Sequence, residues 1–346
     1  GAFLQGGAIS GTIGNELIGG VTISPLAATA ALLTAATLIL LGNRRGYPMP
    51  AAFVVTGAVI GVGLSLGGAP ATGKYTEIAT FWILIPFVAA GIGFGTATLL
   101  RHERVPESVG VPVLAGLTGI VIANMRISLI PSTGGRDATV ADWIARAAAL
   151  DGPRVAGERP VAVLVALALA ASFYLAIRRL VRADTEEGVR TFLVILGSFV
   201  VFSSGGSQVG LATGPLESLF AETLQLPSQL LIGLGSLAIL VGGVLGAPRV
   251  VQAVSREYSQ LGIRRSVSAL VPAFLITQTA ITLGLPISMN QTVIASLIGS
   301  GLVEGSGGVS SGKIGYTVTF WLVALAGSSL LGAGLYRGLA ALFGAP

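Results

Sequence analysis

The chain has 346 residues, 53% of them hydrophobic and only 10% charged, with 50 Gly, 16 Pro and no Cys. A soluble domain carries about 25% charged residues, so a soluble enzyme with one core is excluded, and the mean hydropathy of +0.85 agrees. The net charge of +5 and the single His102 leave no multi-histidine metal centre and imply no nucleic acid, because Arg in short loops between apolar runs follows from positive-inside topology.

Apolar runs fall at about 1–20, 26–42, 51–66, 78–100, 109–131, 160–180, 190–221, 228–245, 268–283, 291–303 and 317–342. Most reach the roughly 20 residues that span a bilayer, and lipid leaves helices as the natural reading. The chain opens inside an apolar stretch, Gly1-Ala2-Phe3-Leu4-Gln5, with no signal peptide and no Met; the native N-terminus is expected upstream. The runs 51–66 and 291–303 are too short to span and follow Pro-containing breaks, which points to a paired transporter site.

The stretch 132–159 is polar with balanced charges, among them Arg136, Asp137, Asp142, Arg146, Asp151, Arg154, Glu158 and Arg159, and reads as a connecting segment. Arg-rich loops at 178–190 and 246–267 belong in the cytoplasm, so 190–221 crosses outward and 228–245 returns. The first of these is long for one straight helix. Its centre, Ser203-Ser204-Gly205-Gly206-Ser207-Gln208, predicts a broken helix.

An internal repeat dominates the chain. Gly46/Gly284, Pro48/Pro286, Ile60/Ile298, Gly61/Gly299, Gly63/Gly301 and Leu64/Leu302 share an offset of 238, and Thr80-Phe81-Trp82 matches Thr319-Phe320-Trp321 at 239. The expected fold is an all-α polytopic membrane protein of two homologous repeats, expected to be inverted, with broken or re-entrant helices. Its parts are a first transmembrane repeat at 1–131, N-terminally incomplete, the polar connection 132–159, and a second repeat at 160–346. Subtracting 238 from 203–216 places the first copy's broken helix before Gly1, outside the chain.

Two polar constellations lie at membrane depth. At 203–216, three Ser and a Gln need hydrogen-bond partners, and Gly205 and Gly206 either unwind the helix for an ion or pack at a tight helix contact. At Pro286-Ile287-Ser288-Met289-Asn290-Gln291-Thr292, hydroxyls, amides and a helix N-terminus suit an anion, or else Ser288 or Asn290 is simply an N-cap. The first-copy equivalent, Pro48-Met49-Pro50-Ala51-Ala52-Phe53, has no polar side chain. Arg126, beside Asn124 at the end of a run, is expected to snorkel. Glu217 and Glu222 face water or a vestibule, Glu304 and Lys313 flank a solvated Gly/Ser-rich turn, and His102 sits in a loop. No nucleotide-binding loop, metalloprotease motif, nucleophile elbow or paired intramembrane carboxylate occurs, so no catalytic residue is assigned.

These residues resemble the PiT family of inorganic phosphate transporters. Gly205-Gly206-Ser207-Gln208-Val209-Gly210-Leu211-Ala212-Thr213-Gly214-Pro215-Leu216 is similar to the family's Gly-Ala-Asn-Asp signature on a broken helix. Gly284-Leu285-Pro286-Ile287-Ser288-Met289-Asn290-Gln291 is similar to its Gly-x-Pro-x-Ser-Thr-Thr-His segment, Gly299-Ser300-Gly301 and Trp321 follow in order, and Gly246-Ala247-Pro248-Arg249-Val250-Val251 resembles the stretch between them. The chain departs where the signature Asp is Gln208, its Asn positions are Ser207 and Leu211, and only Ser288 remains of Ser-Thr-Thr-His.

The resemblance implies a divergent secondary transporter that carries inorganic phosphate or a related oxyanion by alternating access in the cell membrane. Ser207, Gln208, Ser288, Asn290 and Gln291 are the expected substrate lining. No cofactor is expected; sodium or a proton is the candidate co-transported ion, membrane lipid surrounds the chain, and a homodimer is left open. The alternative is a transport-deficient binding or sensing scaffold on the same fold.

Overall fold

In lipid the backbone must satisfy its own hydrogen bonds, and the chain does so almost wholly with helices. The computed structural model describes residues 1–44, 49–128, 138–150, 160–258, 263–303 and 311–343. Two short helices, α1 (Ala2–Gln5) and α2 (Gly7–Gly11), run into a π-helical turn at Thr12–Glu16. A two-residue strand β1 (Ile18–Gly19) pairs antiparallel with β2 (Ala69–Pro70). The helices α3 (Pro25–Arg44), α4 (Ala51–Ser65), α5 (Thr72–Arg101), α6 (Glu107–Ala123), α7 (Val140–Ala147), α8 (Pro160–Ala183) and α9 (Thr185–Thr213) follow. A 3-10 turn (Gly214–Leu216) and a π-helical turn (Leu219–Thr223) lead to α10 (Ser228–Tyr258), α11 (Ile263–Thr282), α12 (Met289–Leu302) and α13 (Ser311–Phe343).

Among the described residues, α3, α5, α8, α9 and α13 contain stretches long and apolar enough to cross a membrane. Their outer faces carry large apolar groups such as Phe87 and Leu330, about three-quarters exposed at 73% and 75%, which is the surface that lipid requires. The protein is a multi-pass membrane protein. The two short runs are the short helices α4 and α12, as expected.

Two expectations are corrected. First, α9 does not break at Ser203–Gln208. It stays helical to Thr213, and the interruption comes at Gly214–Thr223, where Pro215 has no N–H and its ring opposes a continuing helix. Gly205, Gly206 and Gly210 serve packing instead: a β-carbon at Gly206 would lie 2.7 Å from that of Gln5, and one at Gly210 2.8 Å from the Gly6 carbonyl oxygen. Second, the expected loop 246–267 is largely helix, because α10 extends to Tyr258 and α11 resumes at Ile263. Residues 1–16 run alongside α9 in the same direction, with Gln5 against Gly206, Gly6 against Val209 and Ile13 against Gly214, and they also end in a π-helical turn.

The polar connection is not wholly irregular either. Thr139 and Asp142 form a reciprocal capping box at the start of α7, and Ala141 and Ala145 pack beside Val165 of α8. Residues 132–137 and 151–159, with Glu304, lie outside the described residues, as does the environment of the Lys313 side chain.

The halves exchange partners. The short α4 of the first copy packs on α13 of the second, and the short α12 packs on α5. A β-carbon on Gly61 would collide with the Ser329 carbonyl, and one on Gly299 with the Ala90 carbonyl. Gly332 is likewise pressed on the Ala58 carbonyl and Gly93 on that of Ser296. Offsets of 238 and 239 convert each contact into its mate, so the two copies occupy equivalent environments. Gly61→Ala and Gly299→Ala should therefore each destabilise the protein by about 1–3 kcal/mol through overpacking. Gly334→Ala, which meets nothing within 4 Å, should be neutral or slightly stabilising. Thermal unfolding in detergent measures the three; equal midpoints would show that the glycine contacts do not constrain the fold.

Candidate functional site

The segment between α11 and α12 is the most constrained part of the second copy. Gly284 adopts φ +67°, a conformation that side chains disfavour, and turns the chain out of α11. Leu285, Pro286, Ile287 and Ser288 are then buried. The Trp82 indole Nε1 donates to the Pro286 carbonyl at 2.7 Å, and the Ser207 hydroxyl donates to the Ile287 carbonyl at 3.3 Å. Ser288 is the N-cap of α12, its Oγ accepting from the Gln291 amide at 3.4 Å. Gln291, 1% exposed, donates through Nε2 to the Trp82 carbonyl at 3.0 Å. Its Oε1 is buried without a partner.

The first-copy equivalent is built from apolar groups. Pro50 takes the N-cap position of α4 and makes no side-chain cap. Phe53, in register with Gln291, stacks on Trp82 with ring centroids 3.8 Å apart. Beside these rings an apolar cavity of about 670 Å³ opens between the two copies, lined by residues such as Phe53, Ile60, Trp82, Phe87, Ile298 and Trp321.

A second buried polar cluster was not singled out from the sequence. Gln5 and Gln278 exchange amide hydrogen bonds, each 3.1 Å, and Gln278 also donates to the Ser203 hydroxyl. Gln5 donates further to the Arg126 carbonyl at 3.3 Å. The Arg126 guanidinium does not simply snorkel: it is half-buried and donates to the Thr282 carbonyl at 3.4 Å, at the negative end of the α11 dipole. Amides inside apolar runs are the available sequence signal, but their pairing across 273 residues is a tertiary fact. Among the described residues no group of three or more His, Asp or Glu could hold a metal ion.

A model of the phosphate transporter family matches residues 1–332. The chain belongs to the phosphate transporter family. It is 24% identical, over 91% of its length and 79% of the relative's, to a phosphate-permease homologue of Thermococcus kodakarensis. It is 22% identical to the chloroplastic inorganic phosphate transporter 2-1 of Arabidopsis thaliana, over 86% of this chain and 55% of that one. Its fold is that of a solved sodium-dependent phosphate transporter, with a TM-score of 0.79 and 20% identity over 99% of this chain and 88% of that chain.

In this phosphate transporter family member the expected lining residues divide. Ser207, Ser288 and Gln291 are brought together and buried around the start of α12. Gln208 is half-buried on α9, and Asn290 lies on the exposed side of the first turn of α12. Replacing Gln278 with Leu should strand buried groups on Gln5 and Ser203 and cost about 1–3 kcal/mol. The double variant Gln5→Leu/Gln278→Leu should cost less than the sum of the singles, as residues in contact couple. Unfolding measurements on the double-mutant cycle check this, and strict additivity would remove the amide pair as a unit.

Proposed function

We propose that the chain carries inorganic phosphate across the membrane by alternating access, coupled to a cation. The observation that carries this reading is the match of the phosphate transporter family to residues 1–332. The geometry supports it with a polar focus at the start of α12, where Ser207, Ser288 and Gln291 are buried together; half-buried Gln208 and exposed Asn290 are proposed to complete the lining. Neutral hydroxyl and amide donors beside the N-terminus of α12 suit an anion, because the helix dipole adds partial positive charge there.

Ser207 donates its hydroxyl hydrogen to Ile287, so phosphate must displace that bond to use it. Separation of α9 from Ile287 is then the local event that exposes the site. The repeats, 1–131 and 160–346 about the connection 132–159, are read as inverted from α3 to α5 and from α11 to α13. Arg44 ends α3 whereas Arg264 and Arg265 begin α11, and Arg101 ends α5 whereas Lys313 begins α13. Placing these cations on one membrane side makes the paired helices antiparallel.

Full-length protein in proteoliposomes should show saturable uptake of radiolabelled phosphate, and a folded protein with no uptake under sodium or proton gradients would overturn the proposal. Ser288→Ala should weaken phosphate binding by about 1–3 kcal/mol if a charge-assisted hydrogen bond is lost; unchanged affinity in a direct binding assay would remove Ser288 from the lining. Gln208 offers a cation only a neutral oxygen and cannot titrate. Gln208→Asp should accordingly steepen the sodium dependence of uptake, and an unaltered sodium profile would exclude position 208 from cation binding.

A further inference from the structure

Phosphate is an anion, yet the polar groups buried at the start of α12 are neutral: Ser207 and Ser288 offer hydroxyls and Gln291 an amide. We propose that Arg126 supplies the missing positive charge, its guanidinium pairing with phosphate as the ion reaches these groups; this rests on the transport reading above.

The guanidinium stands at the level of the site. Gln278 of α11 bonds Ser203 of α9, and about one helical turn further along each helix stand Thr282 and Ser207. Arg178, Arg179 and Arg182 precede the start of α9, and Arg264 and Arg265 open α11, so both helices leave the cytoplasmic side in the same direction. The Thr282 carbonyl accepts from Arg126 at 3.4 Å, and the Ser207 hydroxyl donates to the Ile287 carbonyl at 3.3 Å. Beyond Thr282 the chain turns at Gly284 and enters the segment that carries Ser288.

The backbone of Arg126 is fixed, whereas its head is not. Ser128 donates to the Leu4 carbonyl from its amide at 2.8 Å and from its hydroxyl at 2.7 Å. Gln5 donates to the Arg126 carbonyl at 3.3 Å, and the Val140 amide donates to the Met125 carbonyl at 3.0 Å. The contact of the guanidinium with Thr282 is long for an N–H donor and uses one of its five donors. Among the described residues no carboxylate pairs with it, while the Lys74 ammonium is committed to Glu16 and Glu77 at 3.0 Å each. A half-buried cation without a counter-charge is costly, and a bound anion relieves that cost. The planar fork also matches two phosphate oxygens at once. The Thr282 carbonyl, at the negative end of the α11 dipole, holds the head until phosphate replaces it.

The test uses the full chain and radiolabelled inorganic phosphate, followed by uptake into proteoliposomes and by equilibrium binding in detergent. Arg126→Gln, which keeps an amide donor for Thr282, should raise the KM for uptake and the Kd by roughly tenfold or more. Its maximal rate should change less, and its thermal unfolding midpoint should stay near that of wild type. Arg126→Lys, which keeps the charge but not the fork, should show a smaller rise than Arg126→Gln. Asn124→Asp, at an exposed position two residues away, leaves Arg126 in place and sets a carboxylate near it. It should weaken phosphate binding severalfold, and it serves as the deciding variant if Arg126→Gln does not fold. A folded Arg126→Gln that binds phosphate as wild type does, or an Arg126→Lys no better than Arg126→Gln, would overturn the role of Arg126. An unchanged Kd in Asn124→Asp would do the same where Arg126→Gln does not fold. Arg126-dependent binding without uptake defeats the transport reading alone, saturable uptake that ignores Arg126 defeats the role alone, and a wild type that neither binds nor transports phosphate defeats both.

Discussion

The structure depends on glycine-to-carbonyl contact between helices of opposite repeats. In lipid no hydrophobic force drives helices together, so close backbone approach and van der Waals packing must hold them. Gly61 on Ser329 and Gly332 on Ala58 fasten α4 to α13, and Gly299 on Ala90 and Gly93 on Ser296 fasten α12 to α5. Neither α4 nor α12 is long enough to span. Each is held by a long helix of the other repeat, which sets the position of its N-terminus and of the polar groups there.

That shared frame carries unlike chemistry. Ser288 and Gln291 of the second copy correspond to Pro50 and Phe53 of the first. The aromatic ring stacks on Trp82, while the amide binds the Trp82 carbonyl. One side of Trp82 thus meets apolar packing and its backbone meets a polar helix start. Any substrate recognition by side chains at these helix starts is concentrated in the second copy, and the first contributes stiffness.

The polar groups at the interface are bonded to each other in the conformation described. Ser207 holds Ile287, Gln5 holds Gln278, and Ser10 holds Glu217. Each bond joins elements distant in sequence, and each is made by a group that a ligand could also satisfy. Exchange of protein partners for ligand lowers the cost of separating buried polar surfaces, since an unpaired buried group is expensive. Such exchange is a physical route by which ligand binding and helix movement can be linked.

The membrane class, the duplication and the two short helices were legible in the sequence, because each rests on local composition or on spacing along the chain, and a cap at Ser288 or Asn290 was one of two readings there, decided for Ser288 by the structure. The course of α9 was not. Gly205-Gly206 permits both unwinding and tight packing, and the choice is made by Ala2 and Gln5 lying against those glycines, some 200 residues away. The Gln5–Gln278 pair and the partner of Glu217 were likewise decided only by the tertiary structure. Sequence shows that a polar atom at membrane depth needs a partner, but the fold alone determines which one comes within 3 Å.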